Sequence, residues 1–337
     1  MRKLERRATA LAAVLVTTIL VSPDPATSGP VRLSVELFGK RLVVEVRGMD
    51  DLEADSLIRA TLQHVHDLEQ AIGETAVARV NAGAGEVQTA APALLALLTR
   101  ATAFCGWADG VHGPLGGPLY SLWGLGDSIP ESPRGAALRN AVESAACEEL
   151  GIDPDGLRLD LPAGTALLLR GFALGHAVDT AVEHLQAGGA TNGWVELGDV
   201  KRGFGAGPDG EGWPVQLPVL GNTADPLRPI FLRNQALAIA RKSEPSLRVS
   251  GESLAAYLNQ VTGHPKTGVL AVAVVTEAAA DAEPLSVTMF LLGNSAGEMR
   301  LGVLTPTPSV LWTLGGTQAE PLYSYFQWSK LSRPRQR

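Results

Sequence analysis

Four places in this 337-residue chain set reactive or ligand-binding residue types at a spacing that chemistry uses. The first is GNSAG, Gly293 to Gly297, which has the spacing of a nucleophile elbow with Ser295 as the attacking hydroxyl. Such an elbow needs a strand before the serine and a helix after it. SVTMFLLG reads as the strand, but Gly302 and Pro306 interrupt a strand-like MRLGVLT where the helix should stand, so no serine hydrolase is expected. The second is a formal GxGxxG at Gly205, Gly207 and Gly210; Gly212 and Pro214 occupy the place of the required helix, which makes it a false match to a dinucleotide fingerprint. The third, His64 and His66, lies on a helix-patterned segment at a spacing that cannot share one face, so these are read as surface or stripe-edge residues rather than metal ligands. The fourth is residues 165 to 199. There Gly171 and Gly175 follow the apolar run Leu167 to Leu169, and Gly198 follows Trp194 to Leu197, so two glycine turns beside strands can bring backbone amides close to a ligand. Ordinary α/β packing would leave the same pattern.

These sites need elements to hold them. Alternation of Val31, Leu33, Val35 and Leu37, a turn at Gly39 and Lys40, then Leu42, Val44 and Val46 predicts a β-hairpin with one buried face. Asp50 or Asp51 caps a helix whose Leu57, Ile58, Leu62, Val65, Leu68 and Ile72 form its apolar stripe. Asn81 falls in a polar, Gly-rich turn, and Pro92 opens an apolar helix that runs through Leu98 to Cys105. A Gly- and Pro-rich loop follows at 110 to 126. Ala177, Val178, Ala181, Val182 and Leu185 predict a helix that ends at Gly188 and Gly189. In the last third, strands are expected at Val269 to Thr276, Ser286 to Leu292, Met299 to Thr305 and Val310 to Leu314. A helix at Ser253 to Val261 is expected just before HPKTG.

Charged residues at 19% and hydrophobic ones at 45% describe a folded globular protein, and a net charge of −7 argues against nucleic acid as a partner. Arg2, Lys3, Arg6 and Arg7 precede the apolar run Ala8 to Val21 and a small-residue exit, the pattern of a secretory signal. The expected organisation is a signal peptide at 1–29, one domain at 30–320 and a C-terminal tail at 321–337. The protein is accordingly expected outside the cytoplasm, in the periplasm or cell envelope, with the membrane involved only through this signal or through its retention as an anchor. With no cysteine near the signal, it is not expected to be a lipoprotein. Cys105 and Cys147 are read either as one disulfide or as two core cysteines.

Taken in order, several stretches resemble the FAD:protein FMN transferase (ApbE-like flavin transferase) family over residues 31 to 316. Family members carry a motif like GafDPtvgPLv-lWgfg, where this chain has GVHGPLGGPLYSLWGLG at 110–126. They carry LDLGGIAKGYAVD, where it has LLLRGFALGHAVD at 167–179, and NLGGD, where it has ELGDV at 196–200. Near the end they carry HIIDPrTG and ADALsTalfvlG, where it has VTGHPKTG at 261–268 and AEPLSVTMFLLG at 282–293.

The resemblance implies an α+β fold of mixed and antiparallel sheets with packed helices, in a T-fold-like architecture. It also implies a reaction: FAD is split at its pyrophosphate, FMN is placed on a Thr or Ser hydroxyl of an exported acceptor protein, and AMP leaves, with Mg²⁺ on the phosphate oxygens. Carried over residue by residue, Asn81, Gly117, Gly171, Gly175, Asp179 and Gly198 fall at cofactor-binding positions. Ala173, through its carbonyl, and Glu283, in place of an Asp, fall at the metal position. Val287 stands for the metal-binding Thr, with Thr288 beside it. Leu174 replaces the family's Lys and Gly113 an Asp. Val261 and His264 stand where the family has His and Asp, which leaves His264 as the catalytic candidate. The alternative is a catalytically inactive flavin-nucleotide-binding or interaction protein on the same fold.

Overall fold

The computed structural model describes residues 29–125, 128–129, 131–217, 227–242, 246–315, 321–328 and 331. The signal expected at residues 1–29 therefore lies, up to residue 28, outside the described residues.

The first hairpin is built as its alternation predicts, with its turn one residue earlier than expected, since Lys40 already pairs with Leu37. Val31–Leu37 (β1) pairs with Lys40–Val46 (β2) across a tight turn in which Phe38 and Gly39 both have positive φ. Six further strands continue the same sheet: Gly193–Leu197 (β3), Val200–Phe204 (β4), Gln235–Arg241 (β5), Val269–Thr276 (β6), Ser309–Leu314 (β7) and Leu322–Phe326 (β8). The spatial order is β1-β2-β3-β4-β5-β6-β7-β8, and every neighbouring pair is antiparallel. The central strands, QALAIAR and VLAVAVVT, are nearly continuous apolar runs because both of their faces are covered.

One face is covered by helices. Asp51–Ile72 (α1) starts on the side chain of Asp50, which accepts the N–H groups of Leu52 and Glu53, and its stripe faces the sheet. Glu74–Ala82 (α2) and Pro92–Trp107 (α3) follow, then the short Gly117–Leu122 (α4) and Gly135–Glu143 (α5). Ala173–Ala187 (α6) packs between α1 and Ala279–Leu292 (α7), with Asn294–Leu301 (α8) directly after α7. The opposite face is covered by a hairpin, Trp213–Val215 with Ile230–Leu232, whose Trp213 and Ile230 pack with Trp328 against Leu237, Ile239 and Val275. A small mixed sheet pairs Leu247–Val249 antiparallel with Glu252–Leu254 and parallel with Ser128–Ile129. The α+β class with antiparallel sheets and packed helices is thus the observed one.

Local expectations fail in four places. Ser286 to Leu292 is helical, inside α7. Ala282 to Leu291 are all buried, so the helix has no polar face and its 3.6-residue period disappears from the sequence. Met299 to Thr305 is the end of α8 followed by a turn, not a strand. Ser253 to Val261 is not a helix; Glu252–Leu254 joins the small sheet, and Leu258 makes an isolated bridge to Pro265. Leu167 to Leu169 is extended but belongs to no sheet, because its amides are consumed elsewhere: Leu167 donates to Asn81 and Leu168 to the carbonyl of Pro114. With α7 before Ser295 and α8 after it, the nucleophile elbow is excluded by the missing strand and not, as expected, by a missing helix. β8 also carries the sheet past residue 320, into the segment expected as a tail.

Candidate functional site

The corner to which the resemblance points is assembled by the extended segment before α6. Asn81 clamps it, donating to the Leu167 carbonyl at 3.0 Å and accepting the Leu167 N–H at 2.7 Å. Gly117 holds it from the other side, its N–H donating to Ala166, and a Cβ on Gly117 would stand 2.6 Å from the Ala166 Cβ. Asn81 and Gly117 therefore support this segment together with the Pro114 carbonyl, which accepts the Leu168 N–H. The chain then turns at Gly171, φ +87°, where a Cβ would come within 2.6 Å of His112 Nε2 and 3.2 Å of a Val287 methyl. Phe172 stacks on the His112 ring, centroids 4.6 Å apart and planes 8° from parallel. Burial pushes the His112 pKa down to about 3, so the ring is neutral at physiological pH.

Neither α6 nor α7 has a cap of its own, since Phe172 and Ala278 at their N-cap positions offer no side-chain acceptor. The two helices supply each other's. Asp179 of α6 accepts the N–H groups of Ala279 and Ala280, at 2.9 and 2.8 Å, at the start of α7. Glu283 of α7 accepts the Gly175 N–H at 2.7 Å at the start of α6, with the Leu174 amide beside it. Carboxylates at helix N-termini satisfy orphan donors and favour the dipole. Gly175 makes the exchange possible, because a Cβ there would lie 2.3 Å from the Ala279 carbonyl oxygen. Asp179 also pairs with Arg202 from β4. Glu283 is 7% exposed, and burial raises its pKa to about 7, with the two amides and Arg170 opposing the rise.

As a home for Mg²⁺ this corner is poor. A hard cation of that size wants an octahedron of oxygens. The corner offers the Ala173 carbonyl and one facing carboxylate, Glu283, already committed to an amide and drawn toward neutrality by burial. One helical turn on, the same face of α7 presents Val287, which has no donor atom. Thr288 is fully buried, its hydroxyl finds no partner, and its place one residue past Val287 turns it about 100° off that face. No group of three or more His, Cys, Asp or Glu able to hold a metal occurs among the described residues. The residues present do not fit Mg²⁺.

Gly113 is close by, and Cys105 and Cys147 are joined beside it, Cα atoms 6.5 Å apart. A Cβ on residue 113 would lie 2.4 Å from both sulfurs. The disulfide fills the space that a side chain at this position would need, so residue 113 has room for nothing beyond hydrogen. His264 lies on the exposed turn after Asn259, its ring edge-on to Trp123 at 5.9 Å, and no hydrogen bond or ion pair among the described residues ties it to Glu283. Gly198 turns β3 into β4 at φ +60°, and the next residue, Asp199, is held by Arg241 at 2.9 Å.

Two residues of this corner went unnoticed in the sequence. Arg170 lies with its guanidinium carbon 5.5 Å from the Tyr257 ring centroid, and burial pushes the Tyr257 phenol up to about 12. The signal was present: Arg170 is the one charge in the apolar run LLLRGFALG.

Comparisons with known proteins agree on the scaffold. The flavinyl transferase ApbE of Pseudomonas stutzeri, apo form, superposes with TM-score 0.79 at 19% identity, covering 92% of this chain and 98% of that one. The flavin transferase ApbE of Vibrio cholerae gives 0.75 at 21%, covering 90% and 99%. The ApbE protein of Thermotoga maritima gives 0.77 at 21%, covering 90% and 98%. No curated protein matches the chain. The family model for the ApbE family matches residues 32–304, and with these contacts and this topology in place the chain belongs to the ApbE family.

Proposed function

We propose that the protein is an exported member of this flavin-transferase family that binds FAD at the Gly171–Glu283 corner without performing metal-assisted transfer. In the full reaction a Thr or Ser hydroxyl of an exported acceptor protein attacks the FMN-side phosphorus of FAD. A new P–O bond forms, the pyrophosphate P–O bond breaks, AMP leaves with the electron pair, and a base takes the hydroxyl proton. The observation that carries the binding reading is the donor set: Glu283 is spent on the α6 amides and Val287 faces the position where a second oxygen would be needed. Electrostatic contacts to a transition state are each worth on the order of 10²-fold, so losing several removes most of the rate without itself abolishing binding.

One observation favours a second reading, in which FMN transfer from FAD to Thr or Ser persists. A Glu283 carboxyl with its pKa raised to about 7 is matched to act as a general base near neutral pH. The experiment incubates the purified chain with FAD and an acceptor domain carrying a Thr, with and without Mg²⁺, and weighs the acceptor by mass spectrometry. An unmodified acceptor together with FAD binding by calorimetry supports the binding reading. An FMN-sized mass gain overturns it in favour of transfer, and a flat FAD titration defeats both.

A further inference from the structure

The corner keeps a positive charge from its own chain. Arg170 immediately precedes the Gly171 turn, its guanidinium rests on the Tyr257 ring, and it forms no hydrogen bond or ion pair with any described residue. Its Nε is buried and has no hydrogen-bond partner. Its charge acts on Glu283, Tyr257, Tyr120 and His112. Glu283 forms no ion pair with it, because its carboxylate is held by the start of α6. An unpaired, partly desolvated arginine over an aromatic ring keeps its donors free, and a planar fork of donors fits two oxygens of one phosphate. Buried donors without partners are costly, and an anion is the ligand that satisfies them.

We propose that Arg170 supplies the positive charge for the ligand's phosphates in this chain, so that the pyrophosphate of FAD is held at the Gly171 turn without a divalent cation. The proposal rests on the FAD-binding reading above and goes further by naming the group that replaces the metal. Tyr257 backs the guanidinium, and Gly171, at φ +87°, makes the turn beside Arg170 while packing directly against His112 and Val287.

The test titrates FAD into the full chain in EDTA and again in Mg²⁺, then repeats both with R170Q and R170K. The expected result is the same affinity within about twofold in EDTA and in Mg²⁺. R170Q should weaken FAD roughly 10- to 100-fold, the range for hydrogen bonds to charged groups, and leave riboflavin, which has no phosphate, unaffected. R170K, which keeps a point charge but loses the fork, should fall between. Should R170Q not fold, competition on the unaltered chain decides: inorganic pyrophosphate in EDTA should displace FAD, and failure to do so overturns the proposal. FAD binding that appears only with Mg²⁺, or an R170Q that binds FAD as the unaltered chain does, overturns the proposal and leaves the FAD-binding reading standing. Absence of FAD binding in both buffers removes that reading and the proposal with it.

Discussion

Replacing Asp179 by Ala tests the reciprocal capping of α6 and α7 most sharply, because one carboxylate carries three interactions. It accepts two helix-start N–H groups, from Ala279 and Ala280, and pairs with Arg202. Its side chain is 10% exposed and that of Arg202 is 20% exposed, so water replaces these partners only in part. Losing an N-cap costs about 1 kcal/mol, and removing one partner of a buried ion pair about 3–5 kcal/mol. With the partial exposure of Arg202, the expected loss for D179A is about 4 kcal/mol, a large share of the ~5–15 kcal/mol that holds a domain together. D179N keeps an acceptor for the α7 amides but no charge for Arg202, and should lose about half as much. Urea midpoints at constant slope measure both, and amide exchange at Ala279 and Ala280 should quicken in D179A far more than in D179N. A D179A loss under about 1 kcal/mol, or an Asn variant as damaged as the Ala variant, would refute the reciprocal-cap reasoning.

Further expectations concern pH, redox and the helix crossing. The folded pKa of Glu283 stands near 7, above the unfolded carboxylate value, so the folded state holds the proton more tightly; that stability is full below about pH 4.5 and is lost as pH rises through 7, by roughly 3 kcal/mol in all. His112 works in the opposite sense, since its depressed pKa gives stability present above 6.5 and lost as pH falls toward 3. The Glu283 contribution must therefore be read as the difference between the unaltered chain and E283Q across pH 4.5–7, where a difference independent of pH would contradict the assignment. Reducing the Cys105–Cys147 bridge, which closes 42 residues, should lower stability by about 4 kcal/mol on the chain-entropy scale, visible as a fall in Tm with dithiothreitol that a C105A/C147A variant no longer shows. Gly175→Ala should cost at least 2 kcal/mol by urea denaturation, because its Cβ meets the Ala279 carbonyl oxygen and not a side chain that can swing away; a cost below 0.5 kcal/mol would show that α6 and α7 can part freely.

Much of the scaffold was legible in residue order because it rests on local causes. The β1–β2 hairpin follows from alternation and a two-residue turn, α1 from its stripe and Asp50, α3 from Pro92, and β6 from an eight-residue apolar run. Family resemblance likewise rests on ordered glycines, prolines and apolar residues, and these determine the backbone path. The failures have a physical cause as well: α7 is buried on every side, so polarity cannot mark its period, and Leu167 to Leu169 is held extended by Asn81 and Pro114, residues 86 and 54 positions away from Leu167 and Leu168.

The chemistry of the corner is tertiary throughout. Sequence alone determined that Leu174, Val287 and Gly113 lack the polar groups of the family motifs, since residue identity is all that such a loss requires. Only the fold decided what stands in their place. It brought two sulfurs 42 residues apart against Gly113, sent Glu283 to the amides of a helix 108 residues upstream, and laid Arg170 on Tyr257. Such contacts depend on distance and burial in three dimensions, and neither quantity is written in the spacing of residues along a chain.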